Sequence, residues 1–233
     1  MNTIKPPITA VLFDLDGTLL DTAPDFAFVV NQLRQRYGKP PLNYSLIRAT
    51  VSNGARALIT LAFELEEGDS GFDNLRQQLL DLYSQHLDVN TKPFDGISEL
   101  LNWLDRQPLL WGIVTNKPRL YTDPILKALG LNSRCATVVC PDDVQNTKPD
   151  PEPLHLACRH MERNVDQTLY IGDHRRDIEA GINAKMRTIA ANYGYISDTD
   201  PTENWGADFH VDHACELIPL IQSLTPQFKS QSS

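Results

Sequence analysis

Two hydrophobic patterns alternate along the chain. Short, uniformly apolar runs occur at Ala10–Leu15, Leu109–Thr115, Ala136–Cys140, Thr168–Ile171, Thr188–Ala191 and Phe209–Val211. Because they are apolar throughout, they predict strands of a parallel sheet covered on both faces. Between them lie stripes with helical spacing. Ile97, Leu100, Leu101 and Leu104 form one; Ile125, Leu126 and Leu129 form another, closed by Gly130 where a left-handed cap is expected. Pro151 and Pro153 open a third, which continues through Leu154, Ala157, Cys158 and Met161. This alternation predicts an α/β fold, a Rossmann-like doubly wound parallel sheet.

From Thr22 to Lys92 the alternation stops and only helical periodicity is found. Phe26, Val30, Leu33 and Tyr37 form one stripe, with Pro24 in the first turn and Gly38 at the stop. Ala57, Leu58, Leu61 and Leu65 form a second, and Phe72, Leu75, Leu79, Leu82 and Tyr83 a third. The expected organisation is a core of residues 1–21 and 93–233 interrupted by a small α-helical insert, residues 22–92. The polar tail from Thr225 to Ser233 is expected to fray.

Composition narrows the function classes. Hydrophobic residues make up 41% of the 233 positions, enough for a core. Thirty acidic residues against 21 Lys and Arg give a formal charge of −9, which disfavours nucleic acid and anionic membranes as partners. The N-terminal stretch Met1–Thr9 has no apolar run of signal-peptide length, and Ala10–Phe13 is too short to span a bilayer. Cys135, Cys140, Cys158 and Cys215 form no C-x-x-C pair. They are expected to be free thiols of a cytoplasmic protein.

The chemistry lies at the strand ends. Asp14 and Asp16 follow the first apolar run, and Gly17 permits the turn that would bring both to one site. Asp173 ends a later strand, with Asp177 one helical turn on. Four converging carboxylates would repel one another strongly; a hard divalent cation with oxygen ligands, Mg²⁺ above all, relieves the repulsion. Thr115 and Asn116 end another strand with a hydroxyl and an amide, and Lys148 precedes a helix as a candidate counter-charge. A metal, a lysine, a hydroxyl and backbone N–H groups together suit a phosphoryl group.

These residues resemble the motifs of the haloacid dehalogenase superfamily, in its phosphatase branch. The DxDGT motif matches Asp14 to Thr18, the strand-end hydroxyl Thr115, the Lys-Pro pair Lys148-Pro149, and GDxxxD Gly172 to Asp177, in the family's order. Within that superfamily the chain resembles the phosphoglycolate phosphatase group through Thr115-Asn116-Lys117-Pro118, Thr147 to Leu154 and Tyr193 to Ile196. Cys140-Pro141-Asp142-Asp143 and Trp205-Gly206-Ala207-Asp208 extend the likeness to a subgroup linked to N-acetylmuramic acid 6-phosphate in cell-wall recycling. The resemblance implies a helical cap of the C1 type and a Mg²⁺-dependent phosphatase acting on a small phosphorylated metabolite, as a monomer or homodimer.

It further implies that Asp14 is the nucleophile, forming an aspartyl-phosphate, and that Asp16 is the general acid and base. Asp16 must then be protonated in the first step, and surroundings that raise its pKa are expected. Mg²⁺ would be held by Asp14, the backbone carbonyl of Asp16 and Asp173; Asp177, the fourth acid of the set, would orient metal waters or Lys148. Thr115 and Lys148 would hold the phosphoryl oxygens. In the insert, Arg56 and alternatively Arg48 are candidates for a substrate carboxylate. Asn116 either binds ligand or braces its loop. Lys117 reads as a solvated charge, His174 as a residue behind the acids, and Tyr193 and Tyr195 as packing residues. A phosphosugar mutase and a non-catalytic phosphate-binding protein remain alternatives on this scaffold. A phosphonatase is disfavoured, because the insert's sole lysine before Lys92 is Lys39, beside prolines.

Overall fold

The computed structural model describes residues 6–225; the tail beyond Thr225 lies outside the described residues. Six strands form one parallel sheet: β1 (Ala10–Phe13), β4 (Leu110–Val114), β5 (Val138–Val139), β6 (Thr168–Gly172), β7 (Arg187–Ala191) and β8 (Phe209–Val211). Their spatial order is β5-β4-β1-β6-β7-β8. The chain thus winds outward from β1 in one direction, then returns and winds outward in the other. The reversal falls between β1 and β6, where open α/β sheets bind ligands beyond the strands' carboxyl ends. All six predicted strands are present: three are shorter by two or three residues, two are longer by one, and Phe209–Val211 is matched.

Both faces of the sheet are covered, which explains the unbroken apolar runs. Val11 and Phe13 point to one side, into a core shared with α5 (Ile97–Leu104), α6 (Arg119–Ala128) and α9 (Leu217–Ser223). Ala10 and Leu12 point to the other, against α7 (Glu152–Met161) and α8 (Arg175–Asn183). Gly130, at φ 66°, closes α6 as its stripe predicts: its N–H reaches the Lys127 carbonyl and that of Leu131 reaches Leu126.

Between β2 (Leu20–Asp21) and β3 (Lys92–Pro93) the chain holds four α-helices and no strand: α1 (Ala23–Arg36), α2 (Tyr44–Thr50), α3 (Gly54–Phe63) and α4 (Phe72–Ser84). The pattern missed α2, a seven-residue helix with one buried side chain, Ile47. So short a helix shows no stripe; its sign was Asn43, whose side chain caps Ser45 N–H. β2 and β3 pair antiparallel at the base of this segment, Leu20 against Pro93 and Asp21 against Lys92. Fully buried Asp25, in the first turn of α1, fastens the exit. Its carboxylate accepts the backbone N–H groups of Asn90 and Thr91, the Asn90 amide and the Thr91 hydroxyl, at 2.8 to 3.1 Å.

Candidate active site

Strand register decides which residues meet. Phe13 stands beside Ile113 on β4 and Ile171 on β6, so Asp14, Thr115 and Asp173 emerge within one residue of the same level. The Asp14 N–H extends the ladder by one bond to the Ile171 carbonyl, at 2.9 Å. Past Leu15 the chain turns sharply: Gly17 has φ 85°, and a Cβ there would lie 2.0 Å from Asp173 Oδ2. Only glycine lets the first loop approach that acid so closely. At Gly172 a Cβ would come within 2.3 Å of the Asp177 Cβ, so the second acidic pair also depends on a missing side chain.

Asp14, Asp173 and Asp177 each bring a carboxylate oxygen within 4.8 Å of the others. Asp173 and Asp177 are buried, whereas Asp14 is open at its edge to a cavity of about 670 Å³. Burial first, and then repulsion from Asp177, lifts the Asp14 pKa from 3.8 to about 6. Burial, and then repulsion from Asp14 and Asp177, lifts that of Asp173 to about 8. Such crowding is costly for a metal-free protein and suits a hard dication with an all-oxygen ligand set. Other polar groups hold Asp173 in position. Thr18 Oγ1 donates to its Oδ1 at 2.8 Å, and the Tyr195 N–H and Ser52 Oγ donate to Oδ2 at 3.0 and 3.3 Å.

Lys148 is the buried counter-charge. Its Nζ lies 2.9 Å from Asp14 Oδ1 and 2.7 Å from Asp177 Oδ1, and it donates to the Val114 carbonyl and the Tyr170 hydroxyl. Burial alone would lower its pKa, but Asp14 and Asp177 outweigh it and raise it. The lysine expected to meet a phosphate therefore has its charge engaged by two carboxylates. Asn116 braces the loop: its amide donates to the Lys148 carbonyl at 3.0 Å and accepts the Lys148 N–H at 3.2 Å. Thr115, 4% exposed, lines the same cavity and accepts the Lys117 N–H at 3.1 Å.

Asp16 faces the cavity but lies outside the acidic cluster. Thr22 Oγ1 and Lys117 Nζ both donate to its Oδ1, at 2.6 and 2.9 Å. A hydroxyl and an ammonium therefore stand beside this acid. Lys117 is the clearest correction. It is 8% exposed, not solvated, and its Nζ also donates to the Tyr83 hydroxyl at 2.7 Å and lies over the Phe26 and Tyr83 rings. Phe26 and Tyr83 belong to α1 and α4, so this lysine joins the sheet to the helical insert.

The insert reaches the site elsewhere too. A single 3₁₀ turn, Val51–Asn53, brings Ser52 to Asp173, and Asn53 Oδ1 lies 3.1 Å from His174 Nε2. His174 caps α8, its Nδ1 accepting the Arg176 N–H at 3.2 Å, which assigns the proton to Nε2. Burial, and then Arg176, lowers its pKa from 6.5 to about 4. Arg56 sits at the exposed rim, paired with Glu67 at 3.2 Å. Arg48 is turned elsewhere: it donates to the Tyr193 carbonyl at 3.0 Å and stacks over the Tyr195 ring. Tyr195 does more than pack. Its hydroxyl accepts the Thr22 and Ala23 N–H groups at 2.6 and 2.8 Å and donates to Asp21, capping α1.

All four cysteines are free, and no helix among the described residues is long and apolar enough to cross a membrane.

Comparison with known proteins agrees with this architecture. The profile of the haloacid dehalogenase-like hydrolases matches residues 11–191. The N-acetylmuramic acid 6-phosphate phosphatase of Pseudomonas putida is 47% identical over 93% of this chain and 97% of its own length. The phosphoglycolate phosphatase of Xanthomonas campestris is 38% identical over 89% of this chain and 94% of its own. Among solved structures, a predicted phosphoglycolate phosphatase from Haemophilus somnus superposes with a TM-score of 0.82 and 26% identity, covering 92% of this chain and 98% of that one. Strand order, strand-end acids and these likenesses agree, and the chain belongs to the haloacid dehalogenase-like hydrolase family.

Proposed function

We propose that the chain is a Mg²⁺-dependent phosphomonoesterase working through an aspartyl-phosphate on Asp14. The observation that carries this reading is the position of Asp14. It sits at the sheet's switch point, open to the cavity, beside Asp173, Asp177 and Lys148. One Asp14 oxygen attacks phosphorus, and the bond to the substrate's ester oxygen breaks. Asp16 delivers a proton to that leaving oxygen. It then takes a proton from the water that cleaves the acyl phosphate, releasing inorganic phosphate and restoring Asp14. Asp14, Asp173 and the backbone carbonyl of Asp16 would hold Mg²⁺, with Asp177 anchoring Lys148. Bound there, the ion would neutralise charge on the phosphoryl oxygens.

Thr115 orients the phosphoryl group, and Lys148 supports it through Asp14. Residues 22–92 act as a cap that shields the intermediate from bulk water. The relatives' names direct attention to two phosphomonoesters that also carry a carboxylate, N-acetylmuramic acid 6-phosphate and 2-phosphoglycolate. The test is steady-state hydrolysis of both, by kcat/KM, with Mg²⁺ and with a chelator. Asp14→Asn is expected to abolish turnover of each; retained phosphate release would remove Asp14 from its role. Release of an isomerised sugar phosphate in place of free phosphate would convert the reading to a mutase.

A further inference from the structure

Three arginines line the cavity above Asp14, and of these only Arg76 has a buried guanidinium nitrogen without a hydrogen-bond acceptor. Arg56 pairs with Glu67 at the exposed rim. Arg176 is spent on the bridge between sheet and insert, its Nε on His174 Nδ1 at 3.1 Å and an Nη on Asn53 Oδ1 at 3.3 Å. Arg76, on α4, forms no ion pair among the described residues, and its Nε is buried with no hydrogen-bond acceptor. A buried N–H without an acceptor is costly, and a guanidinium in a cavity wall supplies a planar fork matched to a carboxylate.

Its distance from the chemistry narrows the ligand. Arg76, Leu80 and Tyr83 fall at i, i+4 and i+7 and all face the cavity. Tyr83 is tied to the reaction centre, since its hydroxyl accepts from Lys117, which donates to Asp16. Seven helical residues at 1.5 Å each put Arg76 roughly 10 Å further along α4. A ligand that meets both ends of this wall needs its phosphate and carboxylate further apart than one methylene sets them, and a pyranose ring supplies such a spacing.

We infer that Arg76 is a specificity residue that receives a carboxylate borne on the far side of a phosphorylated sugar, and that it selects such a substrate over 2-phosphoglycolate. The inference rests on the phosphomonoesterase reading and deepens it.

The experiment compares wild type with Arg76→Ala and the near-isosteric Arg76→Gln on four substrates. These are N-acetylmuramic acid 6-phosphate, N-acetylglucosamine 6-phosphate (the same sugar without the carboxylate), 2-phosphoglycolate and p-nitrophenyl phosphate. Thermal melts check that each variant folds. Both variants are expected to lose roughly 10²-fold in kcat/KM on the muramic acid ester, mainly through KM, and to stay within about threefold on the other three. A uniform loss across all four, or no loss on the muramic acid ester, overturns the assignment. If wild type hydrolyses none of the four, the phosphomonoesterase reading fails; if it hydrolyses them and both variants match wild type on the muramic acid ester, Arg76 alone is misassigned.

Discussion

Magnesium is expected to stabilise the protein strongly at neutral pH and hardly at all at pH 5. Both crowded acids titrate higher in the folded chain than in the unfolded one, Asp14 at about 6 and Asp173 at about 8 against 3.8. Between those limits the metal-free folded protein holds protons that the unfolded chain has released. Their contribution to stability is therefore complete below pH 3.8 and is lost as pH climbs towards 8. For Asp173, almost fully buried, the loss has an upper bound of roughly 6 kcal/mol. Magnesium reverses this by supplying the positive charge. At 100 times its Kd at pH 7 it adds about 2.7 kcal/mol. For a chain of this size that is about 5–11 °C in Tm. At pH 5 the ion must displace a proton from Asp173 and one from Asp14, which weakens binding by roughly 10³-fold. The same concentration then adds less than about 0.1 kcal/mol. The assay is thermal unfolding followed by circular dichroism, with Mg²⁺ or chelator, at both pH values. Asp173→Asn serves as the control: it is expected to melt no lower than wild type in chelator at pH 7 and to lose the magnesium increment. Equal increments at pH 5 and pH 7, none at pH 7, or an increment that survives in Asp173→Asn would refute the reasoning.

Other outcomes follow from the same contacts. Lys117→Met removes the ammonium from Asp16 and leaves the Tyr83 hydroxyl without its donor, so kcat/KM for any phosphomonoester substrate should fall by about 10²-fold. Wild-type kinetics would return Lys117 to the surface role first expected of it. Asp25→Ala strips four groups of their acceptor and should cost about 3 kcal/mol, seen as a Tm lower by about 6–12 °C. A change below about 2 °C would show that the exit of the insert is held by other means. Gly17→Ala drives a methyl group into Asp173 and forces alanine to a positive φ, so it should lower the metal-free melting temperature and weaken magnesium binding at least tenfold in calorimetric titration; wild-type values of both would show that the close approach at Gly17 does not matter.

The sheet and the acids were legible because each has a local signature. A strand buried on both faces is apolar at every position, so Val11 and Phe13 on one side and Ala10 and Leu12 on the other left an unbroken run. A carboxylate directly after such a run is conspicuous, and Asp14 and Asp173 were found that way. Pairings across long sequence separations left no such mark. Lys117 appeared to be a loop cation until the fold set Tyr83, Phe26 and Asp16 around it. Asp25 drew no notice in the sequence, because its partners lie 65 and 66 residues away. Arg56 was a candidate for a substrate carboxylate, yet the turn before it brings Asn53 to His174 and leaves Arg56 at the exposed rim with Glu67. Arg76 lay inside a regular amphipathic helix, where one arginine resembles any other until a cavity wall singles it out.

Tyr195 adds a direct link between two parts of the molecule. Through its backbone it grips the acid at the floor of the cavity, and through its ring oxygen it grips the root of the first helix of the insert. A displacement of that helix would therefore be transmitted to Asp173, and through it to any ion the acids hold.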